Sequence, residues 1–137
     1  MIELVYGQDE AVAIRVQEKL SARTMWRYPN TIGIKKDDEL IAGLVYHDAT
    51  ARNIQISMAS TSPLWCTKKT LRYIFGYPFL QLKVARVTVC THADNEKMRS
   101  LALRLGFQQE GILRDGYEDG DMIVYGMLAK EGKKWIS

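Results

Sequence analysis

Residues 53–91 read NIQISMAS (53–60), TSPLWC (61–66), TKKTLRYIFGYPFLQL (67–82), KVA (83–85) and RVTVCT (86–91), and this stretch decides the fold. In the first piece Ile54, Ile56 and Met58 alternate with Gln55, Ser57 and Ala59, the period of a strand with two different faces. In the third, Leu71, Ile74, Phe75, Phe79 and Leu82 recur at helical spacing. Pro78 lies inside that pattern; with no N–H to give and a ring that crowds the preceding turn, it bends or shortens the helix end. Val87 and Val89 alternate again in the last piece. A strand, a helix and a strand in this order form a crossover, the connection that parallel neighbours require.

Working outward, Ile2 to Tyr6 suits a strand, and Asp9 and Glu10 open a helix whose Val12, Val16 and Leu20 share one face. Their carboxylates suit its N-terminal dipole. Ser21 to Asn30 is irregular and carries Trp26, Tyr28 and Pro29. Thr31 to Lys35 and Leu40 to Tyr46 flank the polar turn Lys36-Asp37-Asp38-Glu39 and read as a hairpin. Downstream, Asp94 can cap a helix with an apolar face of Met98, Leu101, Ala102 and Leu105, and Gly106 is placed to stop it. Phe107 to Leu113 and Met122 to Leu128 then form a hairpin around Asp115 to Asp121. The order is β-α-β-β-β-α-β-α-β-β, about seven strands. Crossovers across the two later helices predict parallel pairing at both, and the hairpins predict antiparallel pairing elsewhere. The expected class is α/β (mixed α+β): one domain over residues 1–137, a mixed sheet with helices on both faces.

Composition narrows the function classes. The 137 residues are 47% hydrophobic and 26% charged, which fits a single globular core without staples. With 19 basic and 16 acidic residues and a formal charge of +3, the chain is too balanced to indicate nucleic acid as a partner. No apolar run approaches the roughly 18 residues of a membrane span, and the N-terminus does not read as a signal peptide. Cys66 and Cys90 are too few for a disulfide framework and match no metal spacing, so no metal is expected. A reducing, cytoplasmic location is the expectation. The oligomeric state is left open, a homodimer included.

Several short motifs follow one another: Thr70-Leu71-Arg72-Tyr73-Ile74-Phe75 with Tyr77 and Phe79, then Ala85-Arg86-Val87, Asp94-Asn95, Leu105-Gly106-Phe107, Glu110-Gly111-Ile112-Leu113-Arg114, and Gly120-Asp121 before Val124-Tyr125. In that order and spacing they resemble the GNAT superfamily, and within it the branch of ribosomal-protein N-terminal acetyltransferases and small phage-encoded relatives. The likeness is good from about Leu40 to Lys130; the first 35 residues match in outline only. The resemblance implies a GNAT-like sheet and an N-acetyltransferase that moves an acetyl group from acetyl-CoA to an amine by direct attack on the thioester. The acceptor it implies is a protein N-terminus, with a small amine or polyamine behind it. Two departures motivate an alternative, a catalytically degenerate CoA-binding module of the same fold. No glycine occurs between Asn53 and Phe75, where relatives hold the pyrophosphate on a glycine-rich loop. Ala102 stands where many relatives carry the tyrosine that protonates the departing thiolate.

The resemblance and the residues together nominate a site. Lys68, Lys69 and Arg72 lie in the first turns of a helix whose N-terminal amides attract anions, so under the resemblance, with Thr67 and Cys66 before them, they suit a diphosphate; without it, solvated lysines are the better reading. Trp65 is either a lid over the donor or an apolar anchor for its loop. Asn95 matches a cofactor-contacting asparagine and can also cap its helix. In the family the pantetheine lies between two splayed strands; by position the backbone near Met58 and Ser60 takes that role and can polarise the thioester carbonyl. His47 and Tyr125 are the candidates for a catalytic base; outside that role, His47 reads as a half-exposed strand-end residue and Tyr125 as a core residue with a hydroxyl partner. A thiol with a pKa near ~8.5 leaves readily, which predicts that no single acid or base is indispensable.

Overall fold

Alternating apolar residues in the strands give the sheet two faces to cover, and the helices divide between them. The computed structural model of the protein describes residues 2–20 and 30–137; the irregular stretch around Trp26 and Tyr28 lies outside these, as do the side chains of Lys19 and Leu20. The elements are β1 (Ile2–Val5), α1 (Asp9–Leu20), β2 (Asn30–Lys36), β3 (Glu39–His47), β4 (Asn53–Ser60), α2 (Lys68–Gly76), β5 (Arg86–His92), α3 (Glu96–Leu105), β6 (Gln108–Tyr117), β7 (Gly120–Leu128) and α4 (Lys133–Ile136). The strands form one mixed sheet in the order β1-β2-β3-β4-β5-β7-β6.

The expected order of elements holds, and so do helices on both faces. One pairing differs. The crossover through α2 sets β4 and β5 side by side and parallel, but the crossover through α3 does not do the same for β5 and β6. Instead β7 lies between them, antiparallel to both. The reason is burial: Ile123, Tyr125 and Met127 of β7 are 2%, 1% and 0% exposed, whereas β6 is exposed along most of its length. The more apolar arm of the hairpin takes the inner position.

On one face α1 packs through Val12, Ala13 and Val16 onto Val45 and Ala59. Gly43 of β3 makes this approach possible, since a methyl group there meets Val16 Cγ2 at 2.7 Å. On the other face Ile54 and Ile56 of β4, Val87 and Val89 of β5 and the inner residues of β7 join α2 and α3 in the main core. The tail belongs to it too. Trp135 of α4 packs at home, and its Nε1 donates to the carbonyl of Leu105 at 2.8 Å.

Three local features refine the expectations. After Gly76, α2 gives way to a π-helical turn over Tyr77–Gln81, in which the Leu82 amide reaches back to Tyr77, so Pro78 changes the winding as expected. The α3 cap is Asn95 rather than Asp94; its side chain accepts the Met98 amide at 3.1 Å. The last hairpin turns later than expected, between Tyr117 and Gly120, because Asp115 adopts a left-handed conformation (φ 59°) and forms a bulge that lets the strands continue.

Candidate active site

β4 and β5 pair at Asn53–Arg86, Ile54–Val87 and Gln55–Thr88, and there the ladder stops. Beyond it β4 stays paired to β3 as far as Ser60, and β5 to β7 as far as His92. The two strands therefore part in the middle of the sheet. The Thr61 amide donates to Ile41, which fixes the alternation of the β3–β4 ladder: hydrogen-bonded residues recur every second position. Ser57 and Ala59 turn their backbone groups to β3, and Ile56, Met58 and Ser60 turn theirs into the parting. Below it lies an apolar hollow between α2 and α3, lined by Met58, Trp65, Leu71, Val89, Ala102 and Phe107 among others.

The parting leads toward the N-terminus of α2. With no glycine, the connecting loop folds as a self-bonded turn over Pro63–Trp65: Ser62 Oγ accepts from Leu64, and the Cys66 amide donates to Pro63. Thr67 caps α2 in a reciprocal box with Thr70, whose hydroxyl also donates to the Trp65 carbonyl at 2.5 Å. Trp65 is 3% exposed, so it anchors the loop rather than covering it. Among the described residues, the amides left facing outward at this end are those of Lys68 and Lys69, whose side chains are exposed. Burial pushes the Cys66 thiol up, with the Arg104 guanidinium of α3 pulling it the other way. Arg104 thus adds a cation beside the loop that sequence reading did not single out.

The two catalytic candidates lie on opposite faces of the sheet. Tyr125 is buried on the α3 side, where its hydroxyl accepts from Arg99 Nε at 3.0 Å, and Arg99 also holds the carbonyl of Ala93. It does not line the hollow. His47 faces the α1 side and is 9% exposed. Its Nδ1 lies 2.6 Å from Asp48 Oδ2 and its Nε2 2.8 Å from Ser57 Oγ. A carboxylate only accepts, so Nδ1 carries the proton, and in the tautomer with that proton alone Nε2 accepts from the Ser57 hydroxyl. Ser57 was not among the nominated residues; the signal was its place in the alternation, on the face opposite Met58. Asn95 is exposed at the start of α3. Next to it His92 accepts the Asp94 amide, contacts Asp119 at 3.1 Å and stacks on Tyr117, tying the last hairpin to α3.

No protein-family model matches the chain. Among curated proteins, it is 39% identical over 147 residues to YdaF of Bacillus subtilis, named a ribosomal N-acetyltransferase; the alignment covers 93% of this chain and 77% of that one. It is 28% identical to the N-acetyltransferase YoaA of the same organism, over 93% of this chain and 73% of the relative. Among solved structures, the fold matches the spermidine/spermine N-acetyltransferase SpeG of Vibrio cholerae with a TM-score of 0.76 at 11% identity, covering 98% of each chain. It matches the ribosomal-protein-S5-alanine acetyltransferase of Vibrio fischeri with a TM-score of 0.72 at 10% identity, covering 93% of each. At those identities the structures show the shared fold, and the YdaF alignment shows the kinship: the chain belongs to the GNAT family of N-acetyltransferases and is an acyltransferase.

Proposed function

We propose that the donor substrate is acetyl-CoA and that the acceptor is an amine, either a protein N-terminus or a small amine, which attacks the thioester directly. The observation that carries this reading is the parting of β4 and β5, which leads to the N-terminus of α2. Unpaired backbone groups of Ile56, Met58 and Ser60 suit the amides of an extended pantetheine arm, as a neighbouring strand would. The free amides of Lys68 and Lys69, with their side chains and the cap hydroxyl of Thr67 nearby, suit a diphosphate. Asn95 has its carboxamide nitrogen left to give after capping α3. Cys66, Trp65 and Met58 supply the apolar flank.

When bound, the donor supplies an acyl group on a good leaving group. The protein's own part is to hold it extended, to orient the amine and to aim a backbone N–H of β4 at the developing oxyanion. Ala102, 2% exposed in the hollow, provides no acid, and a thiolate needs little. On the acceptor side, Asp115, Glu118, Asp119 and Asp121 give the last hairpin a negative field that attracts a cationic amine. No helix among the described residues is long and apolar enough to cross a membrane; the reading places the enzyme in the cytoplasm.

Calorimetry with acetyl-CoA, combined with a thiol-release assay using spermidine and a peptide with a free N-terminal alanine, tests the proposal. Binding with amine-dependent thiol release is the expected result. No heat at millimolar acetyl-CoA from folded protein overturns it.

A further inference from the structure

Asp48, His47 and Ser57 form a hydrogen-bonded line that ends beside the parting. Asp48 is 69% exposed, at the solvent end; His47 is buried; Ser57 stands two residues past the last β4–β5 pair. Extending the β4–β5 register sets Cys90 across the gap from Ser57, on the same face. Burial holds the Cys90 thiol above its ordinary range, so it stays protonated and does not compete as a base. On this face β5 also carries Arg86, whose guanidinium is committed to Glu110, Asn53 and Thr88. Asp9 at the start of α1 is committed to the amide and hydroxyl of Thr31. Among the described residues, the Asp48 carboxylate is hydrogen-bonded to the imidazole.

We propose that Ser57 is a catalytic residue that takes the proton from the attacking amine and passes its own to His47, with His47 and Asp48 as the positioning residues of the relay. The inference rests on the acetyl-CoA reading above. The amine's lone pair forms the N–C bond while the C–S bond breaks, and its electron pair leaves on sulfur. The proton shed by nitrogen goes to Ser57 Oγ as the Ser57 proton moves to Nε2. The imidazolium so formed is stabilised by the carboxylate at Nδ1 and returns its proton to solvent past exposed Asp48.

The test compares wild type with Ser57→Ala and Asp48→Asn. Asp48 has φ of 53°, a conformation that asparagine tolerates, and its exposed position makes that variant safe for folding. Thiol release is followed against pH with spermidine, with the alanine-initiated peptide and with water as the nucleophile. Ser57→Ala is expected to lose about 10²-fold in turnover near neutral pH, with the acetyl-CoA Kd within about twofold of wild type. Asp48→Asn is expected to lose less. In the resting protein, ¹⁵N spectra of His47 should show a protonated Nδ1 and an Nε2 resonance that moves in Ser57→Ala. An unmoved Nε2 resonance overturns the relay, as does a Ser57→Ala rate equal to wild type at every pH. A wild-type protein that neither binds acetyl-CoA nor releases thiol defeats the donor reading instead, a different signature.

Discussion

The Tyr46 hydroxyl donates to the carbonyl of Ile74 at 2.6 Å, linking the middle of the sheet to the end of α2. Pro78 stands four residues after Ile74 and has no N–H to offer it. A strand side chain therefore supplies the hydrogen that the helix lacks, in a site where Tyr46 is 1% exposed. Tyr77 meets the same ring edge-on at 4.8 Å.

Tyr46→Phe should cost about 1–3 kcal/mol, the penalty for leaving a buried carbonyl unpaired, read from urea midpoints at pH 7. Burial pushes the Tyr46 phenol well above its ordinary value. A folded-state pKa above the unfolded one means stability that is complete below about pH 10 and is lost as pH rises past it. Wild type and variant should therefore converge above about pH 10 as the wild type loses that advantage. A gap that stays constant from about pH 8 to 11 would assign the Tyr46 contribution to packing alone.

The double variant Lys68→Ala/Lys69→Ala should weaken CoA binding, and more so at low salt, where screening of the lysine charges is least. Calorimetry at about 0.02 M and 0.5 M salt separates the cases. Equal affinity for the two proteins at both concentrations would make these lysines solvated surface residues.

Gly43→Ala should destabilise the protein by about 1–3 kcal/mol through overpacking. Its new methyl meets Val16 Cγ2 at 2.7 Å and Val12 Cγ1 at 3.1 Å. Val16→Ala removes the nearer clash, so the two changes should cost less together than the sum of each alone. Strict additivity in a double-mutant cycle would contradict the close packing of α1 on β3.

Trp135→Phe should lose about 1 kcal/mol, the net value of the bond from Nε1 to the Leu105 carbonyl, and Trp135→Ala more. Thermal melts of the two variants read the difference. Equal melting temperatures for wild type and both variants would mean that the tail is not part of the core.

Much of the fold was legible because the periods are clean: Ile54-Gln55-Ile56-Ser57-Met58 could only alternate, and Leu71, Ile74 and Phe75 could only share a helix face. What the sequence could not show was competition between elements. Whether β6 or β7 takes the place beside β5 depends on which arm buries more, a comparison between strands rather than a property of either. The same holds for the bulge at Asp115, where one residue in a left-handed conformation extends a hairpin beyond the point at which its turn-forming composition predicts an end. In the candidate site, the parting was expected from the family likeness and is visible in the register. Ser57 was read as the polar half of an alternation, because its partner His47 is ten residues away and meets it across two strands. Trp65 illustrates the reverse: its two readings differ in exposure alone, which a sequence does not carry.

The three pairs between β4 and β5 make the sheet a book with two leaves and a short spine. One leaf is β1 to β4 with α1 on its cover; the other is β5, β7 and β6 with α3. At the open end the leaves are held by the apolar side chains beneath them and by α2 and α4, not by a ladder. A rigid, fully paired sheet could admit an extended molecule only at its outer margins. This one keeps a lane open down the middle, with amides and carbonyls on offer from the leaf to one side, so whatever lies in it completes the page.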